Sequence, residues 1–198
     1  IDPDSSKVLA DFVVLAMRAG KPNAAVDAAR ILLSREPENA EYQYLAGAAS
    51  LQSGDLKTAS ESLGRFIQKR PKDPRGCLAI GLVLAAQPER IEDARTQLRR
   101  CVETDPTNFE ARYQLALSYK AQGANEQALP ELEATVKAAP EYAPALRDLG
   151  TLYLQAGDDS KARPLLERSA SLNAQDGETH FQLSRLYNRI GEPALAKQ

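Results

Sequence analysis

An all-α solenoid, a row of antiparallel helix pairs, is the fold class this sequence predicts, and three series of residues predict it. Prolines stand at Pro3, Pro37, Pro71, Pro106 and Pro140, at intervals of 34, 34, 35 and 34 residues. Small side chains keep the same phase at Val13, Gly47, Gly81, Ala116, Gly150 and Ser184, and again at Ala25, Ala59, Ala94, Ala128, Ala162 and Ala196. Between the two small series fall Gly20, Gly54, Gly123, Gly157 and Gly191. A fixed period of this length marks a repeat architecture, in which each copy buries its apolar face only against its neighbours.

Each element of a copy has its own signal. The first helix opens behind Ser5, Asn39, Asp73, Asn108 or Asp176, all good N-caps, with Tyr142 breaking the series. Within first helices the apolar residues come at three- and four-residue spacing: Leu9, Phe12, Val13 and Ala16, then Leu146, Leu149 and Tyr153. No segment alternates like a strand. The glycine series ends the first helix, because glycine adopts positive φ freely and opens a tight turn. The third copy reads Gln-Pro-Glu-Arg-Ile-Glu there, and this longer turn takes the one extra residue. Pro22 and Pro193 occupy the first position of a second helix, where no N–H is needed. Pro130 and Pro164 share a place inside second helices and predict a mild bend. The two small series let the helices of a pair approach closely.

The pattern resembles the tetratricopeptide repeat, whose signature runs Trp-x2-Leu-Gly-x2-Tyr, Ala-x3-Phe, Pro. The fifth copy reads Leu146-x2-Leu149-Gly150-x2-Tyr153, Ala162-x3-Leu166, with Ala174 in place of the proline. The fourth reads Leu115-Ala116-x2-Tyr119, Ala128-x3-Leu132, Pro140. Tryptophan is missing throughout, and Ser50 and Leu84 stand where the family prefers tyrosine. The resemblance implies a right-handed superhelical solenoid forming a single array over 1–198, with repeats at about 6–39, 40–73, 74–108, 109–142 and 143–176 and a partial sixth at 177–198. The opening residues match the end of a preceding repeat, and Gln198 falls inside a second helix, so a piece of a longer chain is expected.

In the family the first helices line a concave face. Carried over, its inward positions are the second, fifth, ninth and twelfth or thirteenth of each repeat. From these the candidate groove residues are Val14, Met17, Tyr44, Leu51, Leu78, Leu82, Tyr113 and Leu117, followed by Lys120, Arg147, Arg185 and Arg189. An exposed apolar trough needs a reason, and tyrosine and arginine are frequent binding anchors. The expectation is a non-catalytic scaffold for a protein or peptide, with apolar anchors toward the N-terminal half and an acidic segment toward the C-terminal half. Packing between hairpins is the competing account of each apolar residue. The family's clamp for a C-terminal carboxylate is not expected, since Ala10 and Val14, or Tyr113 and Leu117, stand where its first pair would be.

Other classes fit less well. With 25 Lys and Arg against 27 Asp and Glu, no basic stripe favours nucleic acid. No apolar run approaches the roughly 18–20 residues that span a bilayer, so direct membrane insertion is not expected. One histidine, His180, stands at the family's tryptophan position and reads as a packing residue, partly exposed near the cut end, rather than a base or ligand. No cofactor or metal motif is present. Cys77 and Cys101 lie on the two helices of one pair. Counted from the small-residue crossing, they miss being opposite by about three residues, roughly 4.5 Å. Two buried free thiols are therefore expected, weakly favouring a reducing, cytoplasmic compartment, with a periplasmic one left open. A regulatory or substrate-presenting arm of a larger enzyme or assembly protein is the alternative function. RNA binding of the helical-repeat type and end-to-end self-association complete the field.

Overall fold

The computed structural model describes residues 6–192 and contains, among them, eleven α-helices and one 3-10 turn, with no strand. The helices are α1 Ser6–Arg18, α2 Pro22–Arg35, α3 Ala40–Ser53, α4 Leu56–Lys69, α5 Pro74–Ala85, α6 Ile91–Thr104, α7 Phe109–Lys120, α8 Asn125–Ala138, α9 Ala143–Ala156, α10 Asp159–Leu172 and α11 Gly177–Arg189. Odd-numbered helices open a repeat and even-numbered ones close it. Packing divides the chain into two compact units, residues 1–105 and 106–198. Pro3, Ser5, Pro193 and Ala196, assigned above to links, a cap and a second helix, lie outside the described residues.

Local chemistry sets the helix ends. Asn39 accepts from the Glu41 and Tyr42 N–H groups, Asp73 from Arg75, Asn108 from Ala111 and Asp176 from Glu178. Tyr142 precedes α9 with no side-chain cap. Each such cap satisfies a donor the helix itself leaves open, which stabilises by about 1 kcal/mol. All five glycines between helices have positive φ, between Gly20 at 66° and Gly54 at 85°. Pro37, Pro71 and Pro140 sit second in four-residue turns, closed by Asn39 N–H on Glu36 O, Asp73 on Arg70 and Tyr142 on Ala139. Proline's fixed φ suits that position. Pro130 and Pro164 are carried inside unbroken helices.

Within a pair, the small residue of the first helix faces a leucine of the second. A methyl group added at Gly47, Gly81 or Gly150 would lie 2.5, 2.6 or 2.8 Å from Leu63, Leu98 or Leu166. These leucines and Leu132 are fully buried, and burying such a side chain is worth about 1.5–3 kcal/mol. In residues 6–105, Val13, Ala25, Leu32 and Ala49 form one core cluster and Ala59, Leu63 and Val83 another. In the second unit, Ala116, Leu132 and Leu149 form one cluster, and Leu154, Leu166 and Leu186 the next.

The third pair departs from the rest. α5 ends on Ala86 in right-handed geometry, and the expected longer turn carries a 3-10 segment, Pro88–Arg90. Cys77 and Cys101 are joined by a disulfide with their Cα atoms 5.7 Å apart, against the expectation of two free thiols. The two cysteines are out of level only if Ala94 faces Gly81. Leu98 faces it instead, one helical turn further along α6. Cys77 precedes the glycine by a turn and Cys101 follows the leucine by almost a turn, so antiparallel helices bring them level. With both cysteines in a disulfide, no free thiol favours a reducing compartment. His180, expected to be partly exposed, is exposed, its Nε2 3.1 Å from the Ala174 carbonyl.

Candidate partner-binding groove

In the first unit, α1, α3 and α5 stand side by side, and their equivalent positions meet around an apolar cavity of about 280 Å³. Met17, Tyr44, Ala48, Leu51, Leu78 and Leu82 line it, with Ala79, Gln52 and Arg75. Five of the candidate residues are thus brought together. Val14 stays half-buried and packs against the α1–α3 core. All of the large apolar liners remain partly open to solvent. Ala48 and Ala79 are too short to fill the space, and that leaves a hollow.

One end of the cavity is held by Arg75. Its Nη1 and Nη2 donate to Glu41 Oε1 and Oε2 at 2.8 and 2.9 Å, and its Nε and Nη2 to Asp73 at 3.1 and 2.9 Å. The guanidinium lies 4.4 Å from the Tyr44 ring centroid, and Tyr44 leans on Phe66 at 5.2 Å. Hydrogen bonds from Arg75 hold the Glu41 and Asp73 carboxyls below their usual range, and the same bonds raise the guanidinium further. Paired forks of this kind fix geometry as well as charge. Arg75 was placed on the inward face by its position but not among the candidates. Its signal was in the sequence: Glu41 and Arg75 are opposite charges one interval apart, on adjacent first helices.

The corresponding face of the second unit is organised differently. Tyr113 is 5% exposed; its hydroxyl donates to Asp148 Oδ2 at 2.8 Å and its ring meets Tyr142 edge-on at 5.1 Å. Burial, then the charge on Asp148, pushes the Tyr113 hydroxyl well above its ordinary value, so it remains a donor. Lys120 Nζ is 2.9 Å from Asp148, and Arg147 bonds Asp148 at 3.4 Å and Asp176 at 3.0 Å. Asp148, only 6% exposed, was missed, because nothing in the repeat spacing marks a buried carboxylate there. Leu117 is half-buried against the α7–α9 core. Farther along, Arg185 donates to Gln182 at 3.1 Å and approaches the exposed Phe181 ring, while Arg189 pairs with Asp159. Arg185, Arg189, Asn188 and Leu154 line a second hollow of about 300 Å³.

No group of His, Cys, Asp or Glu among the described residues could hold a metal ion, and no helix among them is long and apolar enough to cross a membrane.

An interval of helix pairs, left-handed glycine turns and small residues set against leucines define a helical-repeat interaction fold. Tetratricopeptide repeat models match residues 11–74 and 119–180, together more than half of the chain, and the chain belongs to the tetratricopeptide repeat family. The DnaJ homolog subfamily C member 3 of Gallus gallus is 24% identical over 196 residues, covering 91% of this chain and 38% of that protein. Peroxisome biogenesis protein 5 of Arabidopsis thaliana is 27% identical over 146 residues, covering 72% of this chain and 19% of that protein. Among solved structures, PilF of Pseudomonas aeruginosa superposes with a TM-score of 0.82 at 16% identity, over 97% of this chain and 87% of that one. The chain spans about two fifths or less of the length of these curated relatives. The fold is that of a protein–protein interaction scaffold.

Proposed function

We propose that this chain is a non-catalytic scaffold whose first unit holds a peptide or helix of a partner protein in the cavity between α1, α3 and α5. The carrying observation is that Met17, Tyr44, Leu51, Leu78 and Leu82 stay partly exposed around a single hollow. Packing between hairpins accounts for Val13, Ala49 or Val83, which are buried, but not for liners left open to water. The occupant is a segment presenting leucine-, methionine- or phenylalanine-sized side chains, since the cavity offers apolar walls and Arg75 is already satisfied by two carboxylates.

An acidic stretch in the partner remains part of the proposal only at Arg185, which is exposed and bonds a neutral glutamine. Lys120 and Arg147 already share Asp148, and a guest carboxylate there would have to compete with it. The test is a synthetic peptide array probed with the chain and with Met17→Ala/Tyr44→Ala/Leu82→Ala. The triple variant is expected to lose bound peptides by about tenfold or more, the effect of removing anchor residues. Undiminished capture by the variant would refute the groove.

A further inference from the structure

The helix that gives the cavity Arg75, Leu78, Ala79 and Leu82 also carries features that weaken a helix on its own. α5 is a 12-residue helix containing Gly76 and Gly81, and glycine inside a helix is costly because the unfolded chain has more freedom to lose. Its C-terminal end lacks the left-handed glycine that closes α1, α3 and α9. Its partner α6 begins behind Arg90, which offers no side-chain cap. The Cys77–Cys101 bond joins these two helices, and the sequence contains no other cysteine. Cys77 stands next to Leu78 in the chain and is half-buried rather than sealed, while Cys101 is 3% exposed.

We propose that the Cys77–Cys101 disulfide is a redox latch on the groove, keeping α5 seated against α6 so that its face completes the cavity. This rests on the groove reading above. A dithiol opens the latch: its thiolate attacks one cystine sulfur, forming a mixed disulfide there and expelling the other cysteine as a thiolate. Its second thiolate then closes on the mixed disulfide and frees the attacked cysteine. Two electrons and two protons pass to Cys77 and Cys101, giving two thiols, and the dithiol leaves as its own disulfide. A protein disulfide or oxidised glutathione reverses the exchange. The latched state belongs to an oxidising compartment, and reduction loosens one wall of the binding site.

Hydrogen–deuterium exchange of the native chain, with and without dithiothreitol, tests the latch without needing a partner. Thiol titration is expected to rise from none to two per chain on reduction. Exchange is expected to accelerate by about tenfold or more across residues 74–104 and to stay unchanged across 109–189, since exchange reads local opening. Cys77→Ser/Cys101→Ser should exchange at the reduced rate whether or not reductant is present. Absence of new thiols, or exchange within about twofold of the oxidised rate, overturns the proposal. The best peptide from the array then separates the two claims. If it binds the oxidised and reduced chains equally but still needs Leu82, the latch falls and the groove stands. If exchange responds but the oxidised chain binds no peptide, the groove falls and the latch stands as a purely structural switch.

Discussion

The first-helix faces of residues 6–105 and of residues 109–189 use the same repeat positions to opposite ends. In the first unit the fifth, ninth and twelfth positions of successive helices give Tyr44, Leu78, Leu82, Met17 and Leu51 around an open hollow. In the second, those positions include Tyr113, Lys120 and Arg147, which converge on the buried Asp148. One carboxylate turns a row of reach-out residues into internal glue. Repeat position therefore tells where a side chain stands, and the nearest buried charge tells whether it is available.

That contrast can be broken most severely at the covalent tie: Cys77→Ser/Cys101→Ser should lower stability of the first unit by about 2–4 kcal/mol, read by urea unfolding curves. Next comes Asp148. Asp148→Ala takes the shared acceptor from Lys120 and Arg147 and leaves the buried Tyr113 hydroxyl without its partner, and stranding a buried donor costs about 1–3 kcal/mol. Urea unfolding of the second unit should show it, while the array peptides of the first unit bind as before. Leu82→Ala sharpens the comparison from the other side. As a partly exposed residue it should cost about 1 kcal/mol or less in stability while weakening peptide binding several-fold, unlike Leu98→Ala, which should cost about 2–5 kcal/mol.

The smallest effect concerns pH. Glu41 and Asp73 are held below their ordinary values of 4.5 and 3.8 by the Arg75 hydrogen bonds. A lowered carboxylate contributes stability that is fully present above its unfolded value and is lost as pH falls through the folded one. Unfolding followed between pH 5 and pH 2 should show this loss in the wild type. Arg75→Met should flatten it, because both carboxyls then return toward their ordinary values. A wild-type-like acid profile in that variant would contradict the assigned network.

Much of the fold was legible because its determinants are periodic. Positive-φ glycines, N-caps at Asn39, Asp73, Asn108 and Asp176, and turn prolines each act locally, and each repeats with the interval. The disulfide was not legible for a specific reason. Two small-residue series were available to set the level of the helix crossing, and the residue that faces Gly81 is a leucine from neither. That Met17, Tyr44, Leu51, Leu78 and Leu82 share one cavity follows from their repeat positions alone. The pairing of Lys120 and Arg147 with Asp148 does not, because Asp148 is a non-periodic residue whose burial comes from three-dimensional packing.

The 3-10 turn between α5 and α6 has a practical consequence for anyone labelling this molecule. Pro88–Arg90 is exposed, and the turn that holds it already accommodates the extra residue of its repeat, while Ala94 and Leu98 still find their places in the core. Surface turns of this kind accept inserted sequence more readily than tight ones. A short tag or fluorophore attachment peptide placed after Glu89 would report from beside the third pair while leaving the left-handed glycine corners elsewhere untouched.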